Sequence, residues 1–73
     1  MIKYISDFST AWNKLKERYP ERLERITRFS LKGSDYSMKI TLDGRTIIAV
    51  REENQKECYE RITKRIWYYL KFH

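Results

Sequence analysis

The segment Tyr36–Arg51, YSMKITLDGRTIIAVR, constrains the fold more than any other part of the chain. Two alternating runs flank Asp43-Gly44, a strong short-range signal for a β-hairpin. Side chains alternate between the faces of a strand, so a one-residue slip in pairing exchanges the faces. A two-residue Asp43-Gly44 loop puts Met38 beside Ala49 and leaves Ile48 and Val50 on the polar side. A three-residue loop, Leu42-Asp43-Gly44, with Gly44 left-handed in a bulge, gathers Tyr36, Met38 and Ile40 with Thr46, Ile48 and Val50. The second register collects the apolar residues and is the one expected, with Met38 opposite Ile48 and Tyr36 opposite Val50. Its other face carries Ser37, Lys39, Thr41, Arg45, Ile47, Ala49 and Arg51, among them three cations and no anion.

The flanking segments read as two helices and one further strand. Residues 1–5 are an extended arm or a first helical turn, and Ser6 or Asp7 offers an N-cap. Phe8, Ala11, Trp12, Leu15 and Tyr19 then recur at helical spacing, an apolar stripe with Trp12 at its centre. Pro20 ends or kinks that helix, or starts a further turn over residues 20–25. Residues 27–32 read as a strand, with Phe29 and Leu31 on one face and Arg28, Ser30 and Lys32 on the other. Gly33-Ser34-Asp35 reads as a turn, which pairs Leu31 with Tyr36 and Phe29 with Met38. Asn54 followed by Glu57 is a capping box, opening a helix whose stripe is Cys58, Tyr59, Ile62, Ile66, Tyr69 and Leu70.

The expected fold is therefore α+β, in the order α-β-β-β-α. A three-stranded antiparallel meander carries both helices on its apolar face and leaves the other face open. Seventy-three residues suffice for one compact domain, 1–73, with a thin core. Six Tyr, three Phe and two Trp supply bulk that such a core needs. The element order is similar to that of the double-stranded-RNA-binding domain. That family opens its second helix with a lysine cluster, where this chain has the acidic run Glu52-Glu53-Asn54-Gln55-Lys56-Glu57, so no residue is carried over.

Chemistry is sparse. The lone histidine, His73, ends the chain, and the lone cysteine, Cys58, falls on a buried stripe with no base to activate it. No ligand cluster for a metal, phosphate loop or cofactor motif is present, and catalysis is not expected. The lone cysteine and the lack of a long apolar run point to a reduced, cytoplasmic protein with no membrane span.

Two surfaces remain. Arg28, Lys32, Lys39, Arg45 and Arg51 share the open sheet face, and a net charge of +6 agrees with a polyanionic partner. No aromatics accompany these cations, so phosphate contacts are expected rather than base stacking. At the end of the second helix, Trp67, Tyr68 and Phe72 fall outside the buried stripe and suit a protein interface. The chain thus reads as a small nucleic-acid-binding module. The alternative is a stoichiometric protein-binding effector or inhibitor, of the phage or plasmid anti-defence type, acting on a nucleic-acid-processing protein. A homodimer through the aromatic end is compatible with both.

Overall fold

The computed structural model describes residues 2–29 and 35–73. Five elements follow in order: α1 (Lys3–Arg18), β1 (Leu23–Phe29), β2 (Tyr36–Leu42), β3 (Arg45–Glu52) and α2 (Gln55–Phe72). The strands form one antiparallel sheet in the order β1-β2-β3, and both helices lie against one of its faces. This is the expected α-β-β-β-α fold of the α+β class.

The two helices run parallel. At one end the Tyr59 ring of α2 meets Tyr4 and Phe8 of α1, at centroid distances of 5.7 and 5.2 Å, and Tyr36 of β2 at 6.2 Å. At the other end Tyr19 meets Tyr69 edge-on at 6.1 Å, and Arg18 Nη1 donates to the Leu70 carbonyl at 2.6 Å. Between these ends Phe8, Ala11 and Leu15 of α1 and Cys58, Ile62 and Ile66 of α2 are buried against Met38, Ile40, Ile48 and Val50. Burying such aliphatic and aromatic side chains stabilises by about 1.5–3 kcal/mol each, so a few of them decide whether the domain folds.

Helix boundaries follow from local chemistry. α1 starts at Lys3, with Ile2 as a cap that offers no side-chain acceptor, and Ser6 N–H donates to the Ile2 carbonyl at 3.0 Å. Residues 3–5 thus form its first turn, and the expected cap at Ser6 or Asp7 is not used. Apolar and aromatic contact from Tyr4 extends the helix past its best capping residues. α2 starts as expected, with Glu57 N–H donating to Asn54 Oδ1 at 2.9 Å. Trp12, expected in the core, is only half-buried at its margin, stacked on Phe8 at 6.2 Å.

The first strand lies earlier than residues 27–32. β1 begins at Leu23, so Pro20 ends α1 and starts no further helical turn. Arg22 takes a left-handed conformation (φ 59°), which redirects the chain into the sheet. Two ties to the β2–β3 turn hold it there: Asp43 N–H donates to the Arg22 carbonyl at 3.1 Å, and the Arg22 guanidinium lies 3.4 Å from the Asp43 carboxylate. Phe29 consequently pairs with Tyr36, and Thr27 with Met38. Tyr36 and Met38 therefore do not take the expected partners Leu31 and Phe29, a shift of two residues that follows from the earlier start of β1. Gly33-Ser34 of the expected turn lies outside the described residues.

The hairpin reaches the expected faces by a different route. Its loop has two residues, and both Asp43 (φ 53°) and Gly44 (φ 79°) are left-handed, the backbone of a type I′ turn. Leu42 pairs with Arg45 and Thr41 with Thr46. The register then shifts, and Ile40 pairs with Ile48, Met38 with Val50 and Tyr36 with Glu52. Ile47 is the extra residue on β3, a β-bulge in mid-strand rather than at the turn. Met38, Ile40, Ile48 and Val50 therefore do share the core face, but the pairs are not Met38 with Ile48 or Tyr36 with Val50.

Because Ile47 is unpaired, deleting it should leave a regular ladder with Ile40 still opposite Ile48. The Ile47 deletion is expected to fold, whereas deleting Ala49 forces Ile48 or Val50 out of the core and costs about 1.5–3 kcal/mol more. Urea denaturation of the two deletions checks this, and equal losses would contradict the bulge.

Burial raises the Cys58 thiol pKa, with the Glu52 carboxylate adding to the effect. The folded state then holds that proton more tightly than the unfolded chain. Its stabilising contribution is complete below the ordinary thiol range, about 8.5, and is lost as pH rises past it towards the folded value. The urea midpoint should fall between about pH 8 and 10, and less so in Cys58→Ala.

Candidate functional site

The open sheet face is organised in rows across the strands. Arg28, Ser37 and Arg51 pair consecutively from β1 through β2 to β3 and form one row. Ile26, Lys39 and Ala49 form the next. Strands lie about 4.8 Å apart, so the Arg28 and Arg51 backbones stand about 10 Å apart with Ser37 between them. Lys39 sits about 7 Å further along the central strand. These side chains line a shallow cavity of 290 Å³ on the face away from the helices. Lys39 is only partly exposed, its stem lying between Ile26 and Ala49, which directs the ammonium outward.

Three of the five expected cations, Arg28, Lys39 and Arg51, meet on this face. Arg45 does not join them. The type I′ turn and the Ile47 bulge pair it with Leu42 on the helix side, where it shares a cleft with Tyr69 and His73 of α2. Lys32 lies outside the described residues. Nor is the face free of carboxylates. Asp35 Oδ2 accepts from Arg51 Nη2 at 2.6 Å, and this hydrogen bond and charge hold the Arg51 pKa above its ordinary value. Glu24 follows in the third row, opposite Thr41. Asp35 was missed because it was assigned to the Gly33-Ser34-Asp35 turn and so left off the face, although it stands beside Arg51 in either register.

Arg25 carries a different task. The alternation of β1 turns it to the helix side, where its guanidinium lies 5.1 Å from the Phe8 ring centre and 5.9 Å from that of Trp12. It covers the α1 aromatics at the sheet margin, between Leu23 and Thr27 on the same face of β1.

The aromatic end of α2 is exposed as expected: Trp67 by 43%, Tyr68 by 63% and Phe72 by 59%. Tyr68 and Phe72 contact each other at 4.5 Å on one flank. Trp67 is on the other flank and lines a groove of 470 Å³ between the helices, together with Tyr4 and Asp7 of α1 and Glu60 and Lys64 of α2.

Among the described residues no three His, Cys, Asp or Glu side chains converge as metal ligands, and no helix is long and apolar enough to cross a membrane. Comparison with protein families, characterised proteins and solved structures finds no match to this chain.

Proposed function

We propose that this chain is a non-enzymatic cytoplasmic binding module that holds a polyanion, the phosphate backbone of a nucleic acid, on its open sheet face. The observation that supports this is the Arg28-Ser37-Arg51 row with Lys39 beside it. Two guanidiniums bracket a hydroxyl donor at a separation that a phosphodiester can bridge, and the lysine meets the next phosphate. The floor of Ile26 and Ala49 has no ring for a base to stack on, so the contacts are to backbone and carry no sequence preference. Asp35 occupies Arg51 in the free protein and leaves it when phosphate arrives.

A second reading rests on the exposed Trp67, Tyr68 and Phe72: a stoichiometric effector that blocks a nucleic-acid-processing protein. The two separate cleanly in one experiment, binding to random duplex DNA and RNA across a salt series.

With about three phosphates neutralised, log affinity should fall against log salt with a slope near −3. Replacing Arg28, Lys39 and Arg51 together with Ser should abolish binding without unfolding the domain, and Arg45→Ser should leave it unchanged. No binding at low salt, or a triple variant that binds like the parent, would sink the polyanion reading. Trp67→Ala would then test the effector reading by capture of its target.

Asp35→Asn should strengthen binding to the same duplex, because the released Arg51 no longer exchanges one anion for another. Weaker binding by this variant in fluorescence titration would assign Asp35 to holding the site in shape instead.

A further inference from the structure

The solvent face of α2 holds a stripe with alternating spacings of three and four: Glu57, Glu60, Lys64, Trp67 and Lys71. Residues at that spacing share one face of the helix. All five residues are exposed, and the stripe lies opposite the buried Cys58, Ile62 and Ile66. Its charges are divided along the axis, acids first and bases last. The helix dipole favours that order, but it does not account for an exposed tryptophan between the two lysines. Among the described residues Glu60 and Lys64 form no ion pair, although they are one turn apart.

We propose that this stripe is the interface with a second copy of the chain, in which α2 packs antiparallel on α2 about a two-fold axis level with Ile62. A two-fold contact is self-complementary, so each pair occurs twice. In this register Glu60 meets the partner's Lys64, and the partner's Lys71 lies towards Glu53, which precedes the Asn54 cap. Glu57 packs on the partner's Trp67. Asp7 of α1 lines the same groove as Glu60, so the incoming lysine faces two carboxylates. A parallel two-fold arrangement sets like charges against each other, and the antiparallel one sets acids against bases. The net charge of +6 does not prevent this, because salt near 0.15 M screens charges beyond about 8 Å and leaves the facing pairs to decide.

The test exchanges charges. Chains carrying E53K with E60K, or K64E with K71E, should each sediment as monomers where the parent is a dimer. Mixed together they should form a heterodimer, since each now presents the charge that the other lacks. E60K with K64E in one chain should restore the homodimer relative to either single change. Circular dichroism checks that α2 is retained. Should a charge variant fail to fold, Trp67→Ala provides the second line, with an expected rise in the dimer dissociation constant of about thirtyfold. A parent that remains monomeric up to about 1 mM overturns the proposal. So does a dimer that survives both charge variants, or a mixture that does not pair.

Discussion

Everything in this fold depends on Ile47 being surplus. The Asp43-Gly44 turn is set by its own chemistry, since a two-residue loop with both residues left-handed matches the twist of the strands it joins. Carried through an unbroken ladder, that turn would set Ile40 against Ile47 and turn Ile48 and Val50 to solvent. The core needs those two residues under α2, where Cys58, Ile62 and Ile66 wait for them. Two preferences conflict, and one unpaired residue satisfies both. The cost is one interrupted step on an edge strand, where the backbone can reach water. The consequence spreads outward, because the bulge also decides which cations see the open face. Arg51 lies beyond it and joins Arg28, whereas Arg45 lies before it and is turned towards Tyr69.

The parallel helices follow from connectivity. β3 hands directly to α2 through Glu53 and Asn54, so α2 returns along the strand it has just left, its C-terminal end over the β2–β3 turn. α1 must then cover β1 beside it, and β1 supplies Arg25 where a large apolar side chain would be expected. The deficit is met by stem and guanidinium laid over the Phe8 and Trp12 rings. Aromatics take the remaining gaps at both ends, Tyr4, Tyr36 and Tyr59 at one and Tyr19 and Tyr69 at the other. Rings suit this task in a thin core, because each fills much volume from a single position and its polar tip can reach the surface.

What could be read from the residues alone was the part governed by periodicity. Ile62 and Ile66 announce their burial by spacing, and Asn54 announces its cap by local hydrogen bonding. The α-β-β-β-α order and the shared face of Met38, Ile40, Ile48 and Val50 needed nothing else. What could not be read was settled by tertiary contact. Leu23 to Thr27 alternates too weakly to declare a strand, and its pairing with β2 is secured by Arg22, whose left-handed backbone no propensity suggests. A mid-strand bulge and a bulge at the turn give the same core face, so the apolar pattern could not tell them apart. That ambiguity is harmless for Ile48 and decisive for Arg45. The open face was consequently overcounted by one arginine. Its carboxylates Asp35 and Glu24 were overlooked because both were assigned outside the strands.

The placement of the helices gives the two surfaces independent lives. Both helices occupy one side of the sheet, and the Arg28-Ser37-Arg51 row occupies the other, so a contact made by α2 neither covers nor distorts the row. If two copies join through α2, their open faces point away from each other, at opposite sides of the pair. Such a dimer cannot lay both rows on one short stretch of duplex. It can hold two separate segments, or two turns of one chain that bends around it. Joining two weak phosphate sites raises the effective concentration of the second only where the polyanion is long enough to reach round. Short and long duplexes would then differ far more in apparent affinity for the dimer than for a charge-exchanged monomer, a difference that three cations on a single face cannot produce by themselves.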